Sequence, residues 1–363
     1  MNTYAEISLE AIKHNIAEIK KLLSPRTKFM AVVKANAYGH GSAAVSRAAS
    51  SAGVDYLAVA NLREALELRD AGIVHPILIL TESPTSVMDE IVQHKLTQTV
   101  YSHSEAKALS DEAVKRKTTA KLQVKVDTGM GRVGVAPSEA VALVQKISSF
   151  PNLVIEGLFT HFAKAEEHED SFTKEQFEKF QQLLPRFPNI PLKHAANSAG
   201  TLFHPETHLD MVRIGLMMYG IFPHGDLHRP VDLIPALSFK SRVVYVKRVP
   251  AGTPLSYGGI YTTKQETTIA TLPVGYADGY SRRLSNRGKV LIGGKRYPVV
   301  GRVTMDMVLV EVGEDKVAVG DEAVLIGSQG ADCITADEVA ALDDTISYEV
   351  ICGIGKRVPR IYK

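Results

Sequence analysis

Up to about residue 230, short β-branched and apolar runs alternate with longer stretches whose apolar positions recur every three or four residues. The short runs read as buried strands and the longer stretches as amphipathic helices. The pattern predicts strands over Phe29–Val33, Tyr56–Ala60, Ile77–Leu80, Gln98–Val100, Lys121–Val126, Val154–His161, Leu192–Ala196 and Met211–Tyr219. The first helix is the clearest: Ser8 is read as its N-cap, and Leu9, Ile12, Ile16, Ile19 and Leu23 share one face. Eight βα units in succession predict an α/β fold, a closed (β/α)8 barrel over residues 1–230.

Past Pro235 the texture changes to SRVVYVKRV, TTIATLPV, GKVLIGG and DMVLVEV, short runs separated by Gly, Pro and Asn. These predict a mainly antiparallel β domain over residues 231–363, with a short helix in TADEVAALDD and a chain end on ISYEVICGIGKRVPR. The junction HGDLHRPVDLIP is short and proline-punctuated, so rigid packing of the two domains is expected. A length of 363 residues suits two domains.

Composition removes several classes of function. With 42 basic and 40 acidic residues the net charge is only +2, so there is no basic excess to hold nucleic acid. The N-terminus lacks a cationic start followed by an apolar core, and no apolar run approaches the ~20 residues of a membrane span. A cytoplasmic protein is expected. Cys333 and Cys352 are neither paired as Cys-x-x-Cys nor near a His cluster, so no metal site is expected and both read as reduced thiols.

Polar or special residues gather where barrel strands end: Lys34, Arg132, His161, Asn197, Ser198, Arg213 and Gly215. Strand-to-loop transitions are polar in any protein, but in a barrel these ends converge on one face, where active sites are built. Lys34 stands out because AVVKANAYGHG sets a lysine directly after a buried strand and follows it with small residues. A lysine at a pocket wall can lose its charge by desolvation and act as a nucleophilic amine. GMGRVG at Gly129–Gly134 matches a dinucleotide fingerprint, but the next helix starts near Ser138, too far on for these glycines to present a helix N-terminus to a pyrophosphate.

The ordered motifs AVVKANAYGHG, KVDTGMGRVG, FTHFA, HAANSAG, VRIGLMMYG, LSYG, PVGYADGY, VGRVTMD and ISYEV make the chain similar, from end to end, to the alanine racemases, fold-type III pyridoxal-phosphate enzymes. The resemblance implies a barrel followed by a β domain. It implies that Lys34 carries pyridoxal 5'-phosphate as a Schiff base and serves as acid and base on one face. Tyr38, Asn197, Ser198, Gly215, Leu216 and Tyr348 match cofactor-binding positions, most of them at its phosphate, where hydroxyls and backbone N–H groups suit the task. Arg132 matches a residue near the cofactor's phenolic oxygen and the substrate carboxylate, and Lys125 a lysine that is carbamylated in some members.

Arg213 matches the partner of the pyridine nitrogen. Many pyridoxal enzymes place a carboxylate there, which keeps the nitrogen protonated; an arginine cannot easily give up its proton and should leave the nitrogen uncharged. A less stabilised carbanion favours return of a proton to Cα over transamination. The opposite base is expected to be Tyr257 from the partner subunit of a homodimer, with Met305 helping to hold the substrate carboxylate. A tyrosine with its ordinary pKa near ~10 needs a cationic neighbour to act as a base, and the resemblance supplies a chain from Tyr257 through His161 to Arg213.

The expected activity is interconversion of L- and D-alanine, supplying D-alanine for peptidoglycan. Tyr276, Arg282, Arg302 and Glu166 match the approach to the site; Thr304 stands where some members have cysteine, and Glu166 where aspartate is more familiar. A serine or broad-specificity racemase and a non-catalytic pyridoxal-phosphate binding protein are the alternatives, though the latter usually lacks the β domain.

Overall fold

The computed structural model describes residues 2–167, 171–223 and 230–363. The first six residues of HGDLHRPVDLIP, and with them the expectation of a rigid junction, lie outside the described residues. The chain divides into two compact units: Ile12–Ala37 with Ser42–Ile234, and Met1–Ala11 with Tyr38–Gly41 and Pro235–Lys363.

Strand β1 (Tyr4–Ile7) belongs to the second unit. In the first, β2 (Lys28–Val32), β3 (Tyr56–Val59), β4 (Ile77–Ile79), β5 (Thr97–Val100), β6 (Ala120–Lys125), β7 (Leu153–Phe159), β8 (Leu192–His194) and β9 (Met211–Ile214) form one parallel sheet. The order is β8-β7-β6-β5-β4-β3-β2-β9. The seam between β8 and β9 is bridged by backbone bonds from Asp210 N to Lys193 O at 3.1 Å and from Arg213 N to Ala196 O at 3.0 Å, so the eight strands nearly close into a barrel. β3, β4, β5 and β9 are buried along their whole length, as strands covered on both faces must be.

Three strand ends fall two or more residues short of the sequence reading; β8, expected to reach Ala196, stops at His194. The run expected to continue to Tyr219 stops at Ile214, and Leu216–Tyr219 is a buried 3-10 turn closed by Gly220 at φ 83°. Gly215, at φ −108° and ψ −96°, breaks the ladder, and an unbroken apolar run cannot by itself tell a strand from a buried turn. β7 likewise ends at Phe159, which leaves His161 beyond the strand.

In the second unit the strands are β10 (Leu237–Arg242), β11 (Tyr245–Val249), β12 (Pro254–Leu255), β13 (Tyr261–Thr262), β14 (Thr267–Leu272), β15 (Lys289–Ile292), β16 (Lys295–Val300), β17 (Val308–Gly313), β18 (Glu322–Gln329), β19 (Asp332–Ile334) and β20 (Arg360–Tyr362). The main sheet runs β11-β14-β17-β16-β15-β18-β10-β1-β20, with β19 on β18. Its pairings are antiparallel except β1 with β20. Gly293 and Gly294, at φ 60° and 78°, form the two-residue turn of the β15–β16 hairpin. Among the described residues, no helix is long and apolar enough to cross a membrane.

The motif PVGYADGY ties three loops of this unit together. Asp278 accepts from Gly275 N at 2.9 Å and from Arg357 at 2.7 and 3.0 Å, and Arg357 also donates to Asp306 at 2.7 Å. Tyr276 N and Ala277 N donate to Thr304 O and Met305 O. A Cβ on Gly275 would sit on the carbonyl oxygens of Thr304 and Met305, and backbone cannot yield as a side-chain tip can. Gly275→Ala is therefore expected to lower the unfolding free energy by about 2–3 kcal/mol, read by urea denaturation. An unchanged midpoint would show that these loops are not packed as described.

Candidate active site

Lys34 lies two residues past the end of β2, after Val33. Ala35, Asn36, Ala37 and Tyr38 after it all have φ of 52–53°, one turn of left-handed helix, before Gly39 at 84° and Gly41 at 100°. For residues with a Cβ this conformation costs roughly 1–2 kcal/mol each, so the turn must be held from outside. Glu64 does part of this: Ala35 N donates to its Oε1 at 2.8 Å and Ala60 N to its Oε2 at 2.7 Å. Asn36 Oδ1 accepts from Ser42 N at 2.9 Å and so starts the next helix, Ser42–Ser51. Small side chains in KANAYGHG are what such a turn tolerates.

Arg213, buried on β9, is the centre of the barrel site. Its Nη1 lies 2.8 Å from His194 Nδ1, and its Nη2 lies 2.8 Å from Thr160 O, 2.8 Å from Ala195 O and 3.1 Å from His161 Nδ1. The guanidinium has donors only, so both imidazoles must accept through Nδ1 and carry their proton on Nε2. Burial, with the charge of Arg213 next, holds both histidines well below their ordinary pKa, so both rings are neutral. Burial also pushes Arg213 down to about 9, which leaves it charged at neutral pH. Among the described residues no carboxylate pairs with it. Carbonyl oxygens, imidazole lone pairs and the face of Phe159, 5.4 Å from Cζ, meet its charge instead. Phe159 also stacks on His194, centroids 4.8 Å apart and planes within 6°.

Lys125, at the end of β6, lies over the same ring at 5.8 Å. Burial first, then Arg132, Arg213 and Lys34, lower its pKa to about 8, only partly opposed by Asp127. The barrel mouth thus gathers four cations, which suits an anionic ligand. The amides of GMGRVG are not open to one: Gly129 N and Gly131 N donate to Asp127 Oδ1 at 3.0 and 3.1 Å, and the following helix, Pro137–Ser148, begins beyond the motif. Asn197 caps the helix Ser198–Phe203 through Gly200 N at 2.8 Å, and Ser198 Oγ accepts from Gly215 N at 3.0 Å, which joins the ends of β8 and β9.

In the other unit, Tyr38 and Tyr348 are neighbours, ring centroids 6.1 Å apart. Burial raises the Tyr38 phenol above its ordinary pKa, so it is a proton donor. Tyr257 and Met305 are 74% and 52% exposed, large apolar groups presented to the outside. Tyr257 is held by its backbone: Ser256 has φ 62°, its Oγ donates to Arg302 O at 2.8 Å, and Arg302 Nε donates to Tyr257 O at 3.1 Å.

Of the residues singled out from the sequence, Lys34, Lys125, Arg132, His161, Asn197, Ser198, Arg213, Gly215 and Leu216 lie in the barrel unit, and Tyr38, Tyr257, Met305 and Tyr348 in the other. Sequence reasoning passed over His194, Phe159 and Gln123. A histidine in the apolar strand Leu192–Ala196 was the available signal for the first; the other two looked like ordinary strand residues.

The alanine racemase N-terminal domain family matches residues 7–223 and the C-terminal domain family residues 236–362. The chain belongs to the alanine racemase family. It is 48% identical over 366 residues to alanine racemase of Halothermothrix orenii, covering 99% of this chain and 97% of that one. It superposes on alanine racemase of Clostridium difficile 630 with a TM-score of 0.96 at 38% identity, covering 100% of this chain and 96% of the other. Against alanine racemase from Bartonella henselae with covalently bound pyridoxal phosphate the TM-score is 0.90 at 30% identity, with 100% of both chains covered. The family is one of isomerases.

The buried, cation-flanked Lys125 makes a stability prediction. Its pKa falls from 10.5 when unfolded to about 8 when folded, so the unfolded state binds more protons between those values. The penalty is full below pH 8 and vanishes above 10.5. In CO2-free buffer, Lys125→Met should be more stable at pH 7 by roughly 3 kcal/mol, with the advantage shrinking as pH rises. A pH-independent difference would contradict this assignment.

Proposed function

We propose that the chain racemises alanine as a cytoplasmic homodimer, using pyridoxal 5'-phosphate and two bases on opposite faces of Cα, and so supplies D-alanine for peptidoglycan. The observation that carries this reading is the buried Arg213 beside two neutral histidines, with no carboxylate paired to it among the described residues and Lys125, which ends a barrel strand, facing the same Phe159 ring. The barrel unit's donors suit the cofactor: Lys34 would take its aldehyde, Arg213 its ring nitrogen, Arg132 its phenolic oxygen, and Ser198, Gly215 and Leu216 its phosphate. Pyridoxal phosphate, when bound, supplies an electron sink for the pair left at Cα.

The chain's own residues divide the remaining work. Lys34 takes or returns the proton on one face. Arg213, which cannot easily give up its proton, would hold the ring nitrogen of the bound cofactor by donating to it and would leave that nitrogen uncharged, which favours return of a proton to Cα. His161, fixed as the Nε2–H tautomer, has a donor to offer the phenolate oxygen of Tyr257 of the partner subunit, and this hydrogen bond, backed by the Arg213 charge, makes a tyrosine usable as the second base. The exposure of Tyr257 and Met305 supports their serving a neighbouring copy. Lys125, depressed towards neutrality, is a suitable amine to capture CO2 as a carbamate, whose anion would orient Arg132.

Purified protein incubated separately with L-alanine and L-serine should yield D-alanine much faster than D-serine; D-serine at an equal rate would favour the broad-specificity reading. The shared site has its own test. Lys34→Ala and Tyr257→Phe homodimers should each be nearly inactive, and mixing them with subunit exchange should restore one intact site per heterodimer, about a quarter of the wild-type rate per subunit pair at statistical exchange. A mixture as inactive as its parents, with exchange confirmed, would contradict shared sites.

A further inference from the structure

We propose that Gln123 is a positioning residue for this reaction: through His194 it fixes the direction in which Arg213 presents its guanidinium, and Gly157 exists to leave it room. The proposal rests on Arg213 serving the ring nitrogen as described above.

The geometry runs strand by strand. Because Arg213 can only donate, His194 Nδ1 accepts and His194 Nε2 carries the hydrogen, which points into a fully buried part of the barrel and needs an acceptor there. Gln123 Oε1 is that acceptor, at 2.8 Å. Gln123 Nε2 has no partner among the described residues, so the amide's side-chain bond there goes to this ring, and the reverse amide orientation would set N–H against N–H. The opposite His194 tautomer would turn a second hydrogen onto Arg213, with the same clash of donors. Gln123 therefore sits at the end of a chain that has one consistent proton arrangement.

Gly157 supplies the independent observation. β6 and β7 shift register between Leu122 and Gln123, so that Gln123 pairs with Gly157. A Cβ at position 157 would meet Gln123 Cδ at 2.8 Å and its Cγ and Oε1 at 3.0 Å. Gly157 is absent from the positive-φ residues, so its backbone does not demand glycine; what demands it is the Gln123 side chain. The ring on the far side is held flat by Phe159, and β7 pairs Phe159 with His194 of β8.

The test is 15N NMR of histidine-labelled protein, His194 being assigned by its loss in His194→Asn, together with steady-state racemisation. Wild-type His194 should show a bare Nδ1 and a protonated Nε2. Gln123→Met, close in shape but without an acceptor, and Gly157→Ala, which displaces the amide without removing it, should each keep the tautomer that Arg213 imposes but shift the Nε2 15N and 1H resonances upfield as that N–H loses its acceptor. Each should lower kcat about tenfold, the worth of one buried hydrogen bond, while KM for alanine stays within about twofold. Gln123→Glu, which keeps an acceptor oxygen there, should restore both the hydrogen-bonded Nε2–H resonance and most of the rate. Protonation of wild-type His194 on Nδ1 would overturn the proposal, as would Gln123→Met and Gly157→Ala proteins with wild-type Nε2–H resonances and kcat. If the wild-type protein fails to racemise alanine, the functional reading falls, and the Nε2–H resonances alone still decide whether Gln123 holds the ring.

Discussion

Burying a guanidinium without a carboxylate is costly unless every donor finds an acceptor and the surroundings are polarised to suit the charge. At Arg213 two backbone carbonyls and two imidazole nitrogens lie within hydrogen-bond distance of Nη1 and Nη2, and an aromatic face meets the charge. The consequences spread outward. Both histidines must be neutral and carry their proton on the far nitrogen; the far nitrogen of His194 then needs Gln123, and Gln123 needs a glycine beside it. Lys125, near the same charge, is pushed towards neutrality.

The barrel provides the place for this arrangement, because β6, β7, β8 and β9 bring Lys125, Phe159, His194 and Arg213 together from sequence-distant strands. The left-handed turn after Lys34 is the longest run of positive φ at non-glycine residues among the described residues. Four residues in a row at φ near 52° would not persist in an isolated peptide. Glu64 takes up the Ala35 N–H inside the turn and Asn36 ties the turn to Ser42 N at the start of the next helix, and these bonds help fix where Lys34 stands. Strain of this kind is found where the position of a functional group matters more than local stability.

Much of this was legible in the sequence, for identifiable reasons. Parallel strands covered on both faces are continuous apolar runs, so all eight barrel strands were found, seven of them within two residues of their predicted bounds. Lys34 and Arg213 were visible because a charged residue at the edge of such a run is unusual. The N-terminal strand Tyr4–Ile7 was not, since nothing in four residues tells that they pair with Leu237–Arg242, more than two hundred positions on. LMMY misled because burial without a ladder has the same composition as a strand. The left-handed turn was missed because small residues permit that conformation without requiring it. Gln123 and Gly157 were missed because their meaning lies in their pairing across β6 and β7, and a single sequence does not carry register.

A donor at Arg213 that cannot give up its proton should keep the ring nitrogen uncharged and so send the proton back to Cα. The most direct measurement is the ratio of pyruvate to D-alanine formed by Arg213→Glu, in folded and cofactor-loaded protein. A carboxylic side chain there could hold the nitrogen protonated, give the carbanion a longer life and let more turnovers end in pyruvate and aminated cofactor. The ratio should rise well above that of the unmodified protein while racemisation slows. A ratio no higher than the unmodified protein's would contradict control of the reaction by Arg213.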